Sequence, residues 1–248
     1  MWSPLLWSAA FLVAIWWLTR RLAFFLMAGI YRLTGSQQVA VVTYALLFLP
    51  GTLVHEFAHW AMAKLLGVKT GGFHILPKLT KNGEIQLGSV DVRGGGLVEH
   101  TLIGMAPMLL GGLITVGLSY VLVDVDAVKQ AVLSEQFDQV LRALSSAFRH
   151  QDAFILIYLL FTISSSMFLS ASDRAPIQQM ALYLALVLLP LYAFGFIPAL
   201  PSSWSQTIAE IFGIFASGLA VAAFVHVVAT LCVALFYWLI RTTVRVNL

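Results

Sequence analysis

Charge is what this sequence has least of. Only 10% of its 248 residues are Asp, Glu, Lys or Arg, against 60% hydrophobic residues. A soluble domain of this size has no use for so much apolar surface, so the composition points to a polytopic helical membrane protein. The net charge of +3 is small and the basic residues are scattered, so no nucleic-acid partner is implied. A lipid bilayer surface accounts for them. Cysteine occurs once, at Cys232, so no internal disulfide can form. The start, Met1-Trp2-Ser3-Pro4, has neither a basic n-region nor a small-residue cleavage site. It is expected to be a retained membrane segment rather than a signal peptide. No internal repeat and no second soluble domain is visible.

What is abundant is apolar runs, and they lead to about six transmembrane helices. The first covers residues 4–18, carries Trp7, Trp16 and Trp17, and ends at Arg20-Arg21 as an interfacial anchor. Residues 22–31 are apolar but too short to cross alone; they prolong the first helix, lie in the interface or re-enter. Further spans are expected over 39–64, 102–123, 153–170, 177–197 and 214–240, the last preceded by a short amphipathic helix over 204–212. Between the second and third spans, residues 70–96 are polar and non-helical. Lys81-Asn82-Gly83 sits there between two β-prone stretches, and Asn-Gly is a hairpin turn signal, so a surface β-hairpin is expected. Residues 124–150 are amphipathic, with Val125, Val128, Val132, Phe137, Leu141, Leu144 and Phe148 at helical spacing. They read as an interfacial helix or helical pair.

One stretch carries chemistry. Inside the second apolar run stands His55-Glu56-Phe57-Ala58-His59. Positions i and i+4 share a helix face, so His55 and His59 offer two imidazoles to one zinc ion. Glu56, beside the first ligand, is placed to take a proton from water. Two packed histidines without a metal are the alternative, but imidazoles and a carboxylate at membrane depth are costly without partners. Pro50-Gly51, one turn earlier, allows a local kink.

A catalytic zinc needs a third protein ligand and leaves its fourth position open. Met62 and Leu65 stand where a third nearby histidine motif would need Gly and His, so this ligand is distant in sequence. The candidates are Asp173, His226, Glu210, Asp152 and the pair Glu99-His100. Asp173 is preferred, because it lies at a span end beside serines able to orient it. His226, in mid-span, needs a partner whether or not it binds metal.

The order of these parts resembles the site-2 protease family of intramembrane zinc metalloproteases, over residues 39–174. His55-Glu56-Phe57-Ala58-His59 lies in a membrane helix. A β-hairpin loop follows, then a helix with a small-residue proline motif, an insertion, and a helix ending in an aspartate. The family's usual Gly-Pro appears as Ala106-Pro107. Its later Asn-x-x-Pro and Leu-Asp-Gly pattern appears with Ser165 for Asn, Phe168 for Pro and Arg174 for Gly. The resemblance implies zinc held by His55, His59 and Asp173, with Glu56 as general base. It implies hydrolysis of peptide bonds in membrane-protein substrates by zinc-activated water. It also implies a catalytic core over 37–175, flanked by an N-terminal span over 1–36 and C-terminal spans over 176–248.

Lys64, Lys69, Lys78, Lys81 and Arg93 place the loop after the zinc helix, and with it both termini, in the cytoplasm. Arg20, Arg21 and Arg32 then fall on the opposite side, against the rule. The chain reads as a multi-pass protein of a bacterial or archaeal plasma membrane. The altered residues around Asp173 leave a second reading: a non-proteolytic membrane subunit or scaffold that keeps the metal site for a partner chain. A metal-handling transporter is a third.

Overall fold

The computed structural model describes residues 3–74, 78–79, 85–86, 88–133, 138–139, 142, 145–149, 151–194 and 201–243. It is mostly helical. Among the described residues, four helices are long and apolar enough to cross a membrane, or five if a bent pair counts as one span.

Helix α1 (Ser3–Thr34) has 32 residues and α8 (Ser202–Thr243) has 42. At 1.5 Å per residue they are about 48 and 63 Å long, against about 30 Å of hydrocarbon. They pack side by side in the same direction. Ser8 Oγ donates to the Phe212 carbonyl at 3.1 Å, and Gly29 faces Tyr237 and Ile240. The helix does not stop at Arg20-Arg21. Those guanidinium groups lie over Trp16 and Trp17, and the apolar residues 22–31 simply extend α1. Nothing breaks it until Gly35, whose positive φ of 68° closes the helix. The separate amphipathic helix expected over 204–212 is likewise absent, because that segment is the first part of α8.

The second expected span is two helices, α2 (Gln37–Leu47) and α3 (Leu49–Leu65), bent by 68°. Pro50 has no N–H to give the Leu46 carbonyl, and Phe48 N closes the last turn of α2 on the Tyr44 carbonyl at 3.0 Å, so α2 cannot continue in line. Gly51 then lets α3 touch α6 (Ala153–Ser166): a Cβ there would run into the Thr162 carbonyl oxygen. The fourth expected span is this α6, only 14 residues long.

Between α3 and α4 (Leu97–Leu122) the described residues form four short strands: β1 (Lys69–His74), β2 (Lys78–Leu79), β3 (Ile85–Gln86) and β4 (Ser89–Arg93). β1 and β4 are antiparallel, with Lys69 opposite Arg93 and His74 opposite Ser89. The register slips between Thr70 and Phe73, where Gly71 packs against Asp91. β2 pairs with β3. The expected Lys81-Asn82-Gly83 turn lies outside the described residues.

α4 is the central post. Its small residues admit neighbours closely: a Cβ at Gly111 would meet Met167, and Gly218 of α8 packs on Val116. Of the amphipathic stretch, α5 (Val125–Leu133) and a 3₁₀ turn at Ser146–Arg149 are described. Val125 and Ala147 join Ile15, Leu122, Leu160, Met167 and Leu219 in the main core. α7 (Ala171–Ala193) rests on α4 near its start and exposes Leu182, Leu186 and Leu189, as a lipid-facing helix does.

Candidate metal centre

His55 and His59 lie on one face of α3, and the structure brings Asp173 to them from the first turn of α7. Their nearest ligand atoms all lie within 4.8 Å of one another. The two Nε2 atoms are 3.2 Å apart, and Asp173 Oδ1 is 3.5 Å from His59 Nε2. Asp173 Oδ2 lies 3.9 Å from His55 Nε2.

Each imidazole is oriented from behind. His55 Nδ1 is 2.6 Å from the Ser166 carbonyl oxygen, and His59 Nδ1 is 2.8 Å from that of Ile103. A carbonyl only accepts, so each Nδ1 carries the proton, and in the neutral ring each Nε2 is a bare lone pair. With both rings neutral, two lone pairs and a carboxylate oxygen face one another; a proton on His59 Nε2 toward Asp173, or a cation at their centre, resolves that repulsion. Zinc–nitrogen bonds of about 2.0–2.1 Å in a tetrahedron separate ligand atoms by about 3.3 Å; the two spacings at His59, 3.2 and 3.5 Å, are close to that, and the His55–Asp173 approach of 3.9 Å is longer. The residues present, two imidazole nitrogens and a carboxylate, could hold a metal ion.

Local structure explains the placement of each ligand. Ser166 is the last residue of α6, so its carbonyl has no helical partner and is free for His55. Asp173 is held by a capping box. Its Oδ2 accepts from Ser170 N at 2.8 Å, and its own N–H donates to Ser170 Oγ at 3.3 Å. That leaves Oδ1 for the centre. Gly104 of α4 gives α7 room: a Cβ there would sit 3.1 Å from the Asp173 carbonyl oxygen.

Glu56 is 7% exposed and lines, with the triad, a cavity of about 710 Å³. Other walls are Thr52, Gly88, Val90, His100 and Ser165. Glu56 is outside the cluster of possible ligands.

The other sequence candidates fall elsewhere. His226 is fully buried; its Nε2 is 3.0 Å from Ser165 Oγ and its Nδ1 is 2.9 Å from the Ala222 carbonyl oxygen. It therefore supports α6 from α8 and holds no place in the cluster. Glu99 accepts from Gly96 N at the start of α4. His100 reaches the cavity wall without joining the triad. Glu210 is exposed on α8, and Asp152 is exposed just before α6. Sequence reasoning missed the two backbone carbonyls and Gly88; Pro107, four residues after Ile103, is a signal that could have pointed to the second carbonyl.

No family model, curated protein or solved structure matches this chain.

Proposed function

We propose that this chain is a membrane-embedded zinc metallopeptidase of the site-2 protease type, acting on peptide bonds of membrane proteins. The observation that carries the reading is the convergence of His55, His59 and Asp173, both imidazoles with Nδ1 tied to a carbonyl, on a cavity that also holds Glu56. A purely structural metal site has no need of that carboxylate.

His55, His59 and Asp173 would hold the ion. Bound zinc supplies Lewis acidity, which makes water acidic at neutral pH and polarises a carbonyl. Glu56 takes the water proton and returns it to the leaving amine. The cleaved segment has to be extended, because a helix hides its carbonyls in internal hydrogen bonds. β4 suits such a segment: among the described residues it pairs on one edge only, with β1, and Val90 and Val92 line the cavity. A peptide added along its free edge would bring its carbonyls past Glu56. The exposed apolar faces of α1, α7 and α8 suit a multi-pass protein of a plasma membrane.

The competing reading is a non-proteolytic subunit that keeps the metal. Ser165, Phe168 and Arg174 favour it, since they replace the family's usual residues around the third ligand. Metal stoichiometry on the purified protein, together with a cleavage screen against single-span membrane proteins, separates the two. One zinc per chain with cleavage supports the peptidase. One zinc with no cleavage in the whole screen supports the subunit.

A further inference from the structure

Pro107 is an interior residue of α4 and one of the most completely buried side chains described. Proline inside a helix has no N–H, so the carbonyl four residues back loses its helical donor. That residue is Ile103. A buried carbonyl without a donor is costly, so Ile103 requires one from elsewhere. The group it meets is His59 Nδ1, at 2.8 Å. His59 is itself 8% exposed, and its Nδ1 needs an acceptor for the same reason.

We propose that Pro107 is a positioning residue for the metal centre: by withholding an amide it reserves the Ile103 carbonyl for His59. The inference rests on the metal reading given above. The reserved carbonyl holds the proton on Nδ1 and turns the Nε2 lone pair toward His55 and Asp173. Gly104 against Asp173 and Gly111 against Met167 make the close approaches on either side of it. The logic is the same as at His55. There the end of α6 releases the Ser166 carbonyl; here a proline releases one in the middle of a helix. Metal-ligating histidines commonly rely on such a partner behind the ring.

The test uses the full chain in detergent, with Co²⁺ as the tetrahedral probe. Pro107→Ala and Pro107→Gly each restore an N–H that competes for Ile103. Both variants should bind Co²⁺ about 10–100-fold more weakly, with an altered visible spectrum, the loss typical of removing a partner behind a ligand. Apo Pro107→Ala should unfold no earlier than wild type, since alanine favours the helix. A proline that merely shaped the helix would change stability and leave metal affinity alone. Folded variants with wild-type Co²⁺ affinity and spectrum overturn this inference only. Wild-type protein that takes up no Co²⁺ overturns the metal reading as well. If neither variant folds, ring ¹⁵N shifts of His59 in apo wild type decide. The Nδ1–H tautomer is expected, and the Nε2–H tautomer overturns the proposal.

Discussion

Gly88 lies directly against Glu56. A Cβ at residue 88 would sit 2.8 Å from Glu56 Cγ, closer than real Cβ atoms come, and a tight 3.0 Å from Oε1. The backbone leading into β4 thus forms one wall around the proposed base, and only glycine permits it. Gly88→Ala must push the strand or the carboxylate aside. Cγ is not the mobile end of the side chain, so the push displaces Glu56 as a whole. Hydrolysis should fall by about tenfold or more, because small misplacements of a catalytic group are expensive. Zinc content should be unchanged. Turnover and elemental analysis on the same preparation check this.

Metal binding should depend on Asp173 and not on His226. His59→Ala and Asp173→Ala remove ligand atoms from the cluster and should abolish stoichiometric zinc. His226→Ala should keep it. Elemental analysis after dialysis against a weak chelator reads the result. Full occupancy in Asp173→Ala with loss in His226→Ala would mean that the third ligand is misassigned.

His226 should matter to stability instead. It is the imidazole that ties α8 to α6 through Ser165, at a fully buried position. His226→Ala leaves the Ser165 hydroxyl without this partner and should cost about 1–3 kcal/mol. A lower thermal midpoint with wild-type zinc content is the expected outcome. An unchanged midpoint would show that the contact contributes nothing.

Glu56→Gln keeps shape and hydrogen bonding and removes only the base. Zinc and folding should survive, while hydrolysis drops by about 10²–10⁴-fold. Uncleaved substrate should co-purify with the variant. In cells, the chromosomal Glu56→Gln form should behave like a deletion. If it behaves like wild type while the deletion does not, the protein works without hydrolysis and the subunit reading replaces the peptidase.

Two histidines and a glutamate on one helix face follow from local spacing, because an α-helix repeats every 3.6 residues whatever surrounds it. The break at Pro50 was legible for the same reason: a missing N–H acts on its own chain. The number of spans was not legible. Residues 22–31 and 204–212 have the same apolar composition whether they form separate pieces or continue a longer helix, and here they continue α1 and α8. Nor does composition reveal that 153–166 is a short helix wedged beside α3 and α4. The proposed third ligand was a choice among scattered carboxylates and His226. Asp173 lies beside His55 and His59 because Gly104 admits the α7 terminus and Ser170 holds the carboxylate. Ser166 and Ile103 act through backbone oxygens that every residue possesses. Their own side chains carry no trace of which oxygen is free, although Pro107, four residues after Ile103, marks a carbonyl that loses its amide. That depends on where helices end or lose an amide, and on which neighbour the tertiary packing brings to the vacant lone pair.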